Sequence, residues 1–151
     1  MKISLCQINP VIGDFPHNTG LILDAAEQAK RAGCSLAVFP ELSLVGYPPK
    51  DLLERPAFIK ENLRVLDKLA AKVQGIHVLC GYVGRNPRST GKALINGVAL
   101  IKNGEILKTG GKRLLPTYDV FDETRYFEPD PHSLIFQIQG QRIGVTVCED
   151  I

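Results

Sequence analysis

The sequence predicts an α/β fold, a mixed β-sheet with helices packed on one face. Two stretches with apolar residues at helical spacing alternate with short apolar runs, giving the order β-α-β-α-β. Two later segments pair apolar runs across a turn, one at Asn103-Gly104 and one at Gly140, as hairpins do. With 151 residues, 44% hydrophobic and 23% charged, the chain has the makeup of a domain that buries a core.

Taken in order, "KISLCQI" alternates and predicts a first strand from Lys2 to Ile8. The turn-prone "NPVIGDFPHN" follows, and Asn18 is positioned to cap a helix. In that helix Ile22, Ala25, Ala26 and Ala29 share a face, Lys30 and Arg31 suit the last turn, and Gly33 is the stop. "SLAVFP", 35–40, reads as a short buried strand. "LSLVGYPPKDLLERP" carries three prolines and a glycine and predicts a loop.

Pro56 then opens a second helix to about Gln74, with Ile59, Leu63, Leu66, Ala70 and Val73 on one face and Gly75 as its end. "HVLCGYVG" is a strand, and "LINGVALIKNGEILKTG" is a hairpin. An irregular segment from Gly110 to His132 precedes the last hairpin, "SLIFQIQGQRIGVTVC". No repeat, low-complexity stretch or Ser/Gly-rich linker suggests a boundary within 1–151.

Charge and composition narrow the function classes. Eighteen basic and 16 acidic side chains leave a formal charge of +2, so no field recommends a nucleic acid or a membrane surface. The N-terminal apolar run breaks at Gln7, and no stretch reaches bilayer-spanning length. Cys6, Cys34, Cys80 and Cys148 form no C-x-x-C pair, which fits free thiols in a reducing cytoplasm better than zinc or a redox dithiol. His17, His77 and His132 lie in unrelated contexts, so no metal site is expected. "TGGK" is not a phosphate loop, because Ile106 holds the first glycine position and Arg113 follows the lysine.

Three groups stand where predicted strands give way to loops: Glu41 in "VFPELSLVGYPP", Lys112 in "TGGKRLLP" and Cys148 in "GVTVCED". Alone, Cys148 reads first as a small packed residue, Glu41 as a solvated acid and Lys112 as surface charge. Together they suit acyl transfer. A thiol with a pKa of ~8.5 is mostly protonated at neutral pH, so a carboxylate to take its proton and a cation for the developing oxyanion complete the set.

"FPELSLVGYPPKDLL", "GKRLLPTYDVFDETRYF" and "GVTVCEDI", in this order, resemble the three motifs of the nitrilase, or carbon-nitrogen hydrolase, superfamily. The longer forms resemble most the glutaminase domain of glutamine-dependent NAD synthetases, and the likeness covers essentially the whole chain. It implies a four-layer αββα sandwich, of which 1–151 is the N-terminal portion. It also implies that Glu41 is the general base, Lys112 the oxyanion-stabilising cation and Cys148 the nucleophile. Glu123 matches a second acid near them, Tyr47 and Tyr118 match pocket tyrosines, and the backbone N–H of Glu149 is the expected oxyanion partner of Lys112.

The implied reaction is hydrolysis of the glutamine side-chain amide, with no cofactor for that step. The ammonia would pass to a C-terminal synthetase domain that uses ATP and magnesium to convert nicotinic acid adenine dinucleotide to NAD. A homo-oligomer is expected. Residues 1–151 by themselves would leave strand edges and an apolar sheet face uncovered, and are expected to be weakly active and to self-associate. Two other readings stay open, a free-standing amidase with the same triad and a non-catalytic assembly module.

Overall fold

The computed structural model describes residues 1–151. Strands β1 (Ile3–Leu5), β2 (Leu36–Val38), β3 (His77–Arg85), β4 (Leu94–Lys102) and β5 (Glu105–Gly111) form one five-stranded sheet in that order. The first three run parallel, and β3, β4 and β5 are antiparallel. Helices α1 (Phe15–Arg31) and α2 (Pro56–Lys72) supply the two crossovers that parallel neighbours require. A separate two-stranded sheet, β6 (Leu134–Ile138) with β7 (Gln141–Val145), lies against the other face. The layering is therefore helix, sheet, hairpin, as the mixed sheet with one helical face required.

Two hydrophobic clusters hold these layers. Alternation in β3 sends Val78 and Cys80 toward the helices, where they join a core of 26 buried residues with Ile22, Ala26, Leu66 and Leu69. Their neighbour Leu79 faces the opposite side and packs with Leu36, Val98 and Leu100 against Leu134, Phe136 and Ile138 of β6. β6 alternates buried and exposed along its length, the pattern of a strand with one covered face. Both hairpins turn on paired left-handed residues, Asn103 and Gly104 at φ 48° and 91°, Gln139 and Gly140 at 50° and 77°.

Several boundaries differ from the sequence reading. α1 begins a turn earlier, because Asp14 accepts from the His17 N–H at 3.1 Å and Pro16 favours the first helical turn. Asn18 is thereby freed from capping and is fully buried. Its amide donates to Val11 O at 2.8 Å and Leu44 O at 3.1 Å and accepts from Val11 N at 2.8 Å, tying two loops together. β1 is shorter than Lys2 to Ile8, and α2 stops at Lys72. The proline-rich loop contains a short 3-10 helix, Lys50–Glu54, and the long irregular segment contains α3, Glu123–Tyr126. No helix is long and apolar enough to cross a membrane.

Candidate active site

Glu41 follows β2 and the Phe39-Pro40 step, at the carboxyl end of the parallel strands. Its turn is seated directly on β3. A Cβ at Gly81 would come within 2.2 Å of Leu42 N and 2.8 Å of the Glu41 carbonyl carbon, so only glycine allows the two backbones to approach this closely. Leu44 N donates to Gly81 O at 3.0 Å, and Ser43 Oγ accepts from Gly81 N at 3.2 Å.

Lys112 follows β5, and its own N–H donates to Asn96 O on β4 at 2.9 Å. Its side chain is completely buried, which a lysine sustains only when paired. The ammonium lies 2.8 Å from Glu41 Oε1 and 2.9 Å from Glu123 Oε1. Burial acts to lower its pKa, but the hydrogen bonds and charges of Glu41 and Glu123 outweigh that and hold it above the ordinary lysine value. It is a fixed cation.

Glu123 is the buried first residue of α3. The end of this short helix is pinned to the sheet by Phe127, which is 2% exposed and bridges to Leu94, while Glu128 N donates to Leu94 O at 2.8 Å. Tyr47 OH donates to Glu123 Oε1 at 3.0 Å. Burial first, and then the Glu123 charge, push the phenol far above its ordinary range, so Tyr47 serves as a donor.

Cys148 lies three residues beyond the end of β7 rather than at the strand terminus, in a short 3-10 turn over Cys148–Asp150. The hairpin ladder ends at Val145, so the turn, not the strand, sets the thiol's direction. Its φ of 50° places a non-glycine residue in the left-handed region, a strain that clusters at functional sites. The residue is exposed and shares a cleft of about 110 Å³ with Glu41, Gly81, Gly97 and Val147. Burial of the thiol, then the Glu41 charge, raise its pKa, while Lys112 and the Glu149 N–H act in the opposite direction. The Cys148 sulfur therefore holds its proton more tightly than an ordinary thiol.

The remaining expected residues lie at the rim. Tyr118 OH donates to Glu149 Oε1, and Tyr118 stacks edge-on against Phe121 with centroids 5.6 Å apart. Phe121 also meets Tyr47, at 6.4 Å. A second cavity of about 290 Å³ opens beside Tyr47, Phe121 and Glu123. Glu41, Lys112, Glu123 and Tyr47 are thus joined by direct hydrogen bonds, Cys148 faces the same cleft as Glu41, and Tyr118 with Glu149 borders it.

Three contributors escaped the sequence reading: Asn96, Phe121 and Asp150. The Asn96 amide donates to Glu41 Oε1 at 2.6 Å and to Glu123 Oε2 at 3.3 Å, and so bridges the two carboxylates that Lys112 also bridges. Its orientation is dictated by chemistry, since the reversed amide would set an oxygen against both anions. Both bonds to Glu41 fall on Oε1, which leaves Oε2 free of them. A single polar residue inside the otherwise apolar "LINGVALI" was the available signal.

Residues 2–151 match the family model described as carbon-nitrogen hydrolase. The glutamine-dependent NAD(+) synthetase of Thermotoga maritima is 41% identical over 153 residues, covering 100% of this chain and 26% of the relative. That of Synechocystis sp. is 44% identical over 153 residues, covering 99% and 27%. Among solved structures, the glutamine-dependent NAD+ synthetase of Acinetobacter baumannii, in complex with ADP, matches with a TM-score of 0.85 at 37% identity, over 97% of this chain and 27% of that one. The NitN amidase of Nesterenkonia sp. AN1 matches with a TM-score of 0.78 at 25% identity, over 98% and 57%. The chain spans about a quarter of the length of the curated relatives it matches.

Proposed function

We propose, from the premise that this chain belongs to the carbon-nitrogen hydrolase family, that it is the N-terminal portion of a glutaminase module. Glutamine is its substrate, and the ammonia released serves ATP-dependent amidation of nicotinic acid adenine dinucleotide by a synthetase part of the same protein. The relatives' names and the 26–27% of their length that the chain matches support this reading. ATP and magnesium belong to residues outside these 151, and no step below involves them. Assembly into a homo-oligomer, which would cover the exposed Ile135 face of β6, is part of the same proposal.

In the reaction, Glu41 takes the Cys148 proton and the sulfur attacks the side-chain amide carbon. Lys112 and the Glu149 N–H stabilise the tetrahedral oxyanion. The protonated Glu41 then gives its proton to the departing ammonia, leaving a thioester on Cys148. A water deprotonated by Glu41 attacks that thioester, and collapse of the second tetrahedral species releases glutamate and returns the thiol. Glu123 and Asn96 hold Glu41 and Lys112 in register, and Tyr118 and Tyr47 border the substrate.

The observation that carries the proposal is the completely buried Lys112 held between Glu41 and Glu123, beside a cleft that contains Cys148. A structural ion pair has no need of a strained, accessible thiol next to it. The test is ammonia release from glutamine by the complete protein, alongside labelling with a glutamine-like diazo-ketone. Hydrolysis of glutamine with Cys148 alone labelled is expected. Turnover of short aliphatic amides with none of glutamine would favour a free-standing amidase, and absence of both, with unlabelled Cys148, would favour an assembly module.

A further inference from the structure

We propose that Asp150 is a positioning residue that clamps the Cys148 turn onto the Lys112 segment, setting the nucleophile against its oxyanion cation. The inference rests on the roles of Cys148 and Lys112 given above.

The two groups have independent origins in the fold. Lys112 follows β5 of the five-stranded sheet, whereas Cys148 follows β7 of the separate two-stranded sheet. No β-ladder registers one against the other. Lys112 is fixed from its own side, its N–H on Asn96 O at 2.9 Å and its carbonyl accepting from Asp130 N at 3.0 Å. The Cys148 turn needs an equivalent tie.

Asp150 supplies it through one carboxylate. Oδ1 accepts from Arg113 N and Leu114 N, both at 2.8 Å, across 37 and 36 residues of sequence. Oδ2 accepts from Val147 N at 3.1 Å, and Asp150 N donates back to Val147 O at 3.2 Å. The acid therefore grips the residue before Cys148 and the two residues after Lys112 at once. It also closes the turn in which Cys148 holds its φ of 50°. The other direct link between these regions, Tyr118 to Glu149, joins two side chains at the exposed rim and fixes no backbone. Three N–H donors on two oxygens require a carboxylate, because an asparagine in this place turns its NH2 toward one set of them.

The test compares wild type, Asp150→Asn and Asp150→Glu in the complete protein, reading kcat and KM for glutamine and the pH profile of Cys148 alkylation by iodoacetamide. For Asp150→Asn we expect kcat to fall about 10²-fold, the loss a misplaced catalytic group brings, with KM within about threefold. Cys148 alkylation should quicken about tenfold near pH 8, its profile moving roughly one unit downward. A turn released from the Lys112 segment loses burial and the Glu41 charge, the two largest causes that hold the thiol up, and these outweigh the lost Lys112 cation. Charge removal alone also favours thiolate but leaves the thiol in register and so predicts an unchanged kcat, while Asp150→Glu, which keeps the charge and lengthens the arm, isolates position. Slower or unchanged alkylation, or an unchanged kcat, overturns the inference. Should Asp150→Asn fail to fold, Asp150→Glu decides it, with faster alkylation and a lower kcat expected and wild-type alkylation overturning it. Alkylation needs no substrate, so a wild type inert toward glutamine defeats the glutaminase reading while this arm still decides the role of Asp150.

Discussion

The Lys112 ammonium lies 2.8 Å from Glu41 Oε1 although the two residues are 71 apart in sequence, and the lysine side chain has no solvent exposure. A buried cation in this position binds Glu41 and Glu123, the proposed base and second acid, into one electrostatic unit. Its removal therefore has consequences for folding as well as for chemistry.

Lys112→Met should destabilise the protein by about 3–5 kcal/mol, because the buried Glu123 and the half-buried Glu41 are left adjacent without a counter-charge. Urea denaturation measures this. A loss below about 1 kcal/mol would mean that the Lys112 pairing contributes little to the fold, contrary to its burial. Glutamine hydrolysis should be abolished in the same variant.

Glu41→Gln keeps the shape and removes the base, so turnover should fall by about 10²–10⁴-fold, the usual worth of general acid-base catalysis. The same change should make Cys148 easier to alkylate, since the Glu41 charge is one of the causes that raise its pKa. Slower chemistry with a more reactive thiol separates a base from a structural acid. Parallel loss of both properties would contradict the assignment.

Burial pushes the Cys80 thiol up to about 12. A folded-state pKa above the unfolded value of roughly 8.5 means that the native state holds the proton more tightly. The stability this gives is fully present below about pH 8.5 and is lost as pH rises toward 12. Unfolding free energies measured across that window should decline in wild type, and the decline should be shallower in Cys80→Ala after its constant cavity cost is subtracted. In native labelling at pH 8, Cys80 should remain unmodified while Cys148 reacts.

Asn96→Asp should be worse than Asn96→Ala for both stability and turnover. Alanine removes two hydrogen bonds, a cost of about 1–3 kcal/mol. Aspartate adds a third anion where the present amide nitrogen sits 2.6 Å from Glu41 Oε1. Thermal denaturation of the two variants checks the order, and an aspartate variant as stable as wild type would show that the Asn96 amide is not needed between the two carboxylates.

Gly81→Ala should displace the Glu41 turn, since the added Cβ meets Leu42 N at 2.2 Å and backbone cannot rotate away as a side chain can. Loss of turnover exceeding the loss of stability is expected. A wild-type rate in this variant would show that Glu41 tolerates repositioning.

By itself, the amino-acid sequence determined the element order, the hairpin turns at Asn103-Gly104 and Gly140 and the helical face of the sheet, and it offered Glu41, Lys112 and Cys148 as candidates through three motifs. These are local properties, carried by periodicity, breakers and short motifs. The tertiary structure alone decided that Asn18 ties loops instead of capping α1, that Asn96 bridges two carboxylates, and that Asp150 spans from the Cys148 turn to the Lys112 segment. A polar side chain's partner is whichever donor or acceptor the packed layers bring within about 3 Å, and no local pattern encodes that. Asp14 captured α1 because Pro16 shifted the start of the helix, and the amide left over then became a buried strut.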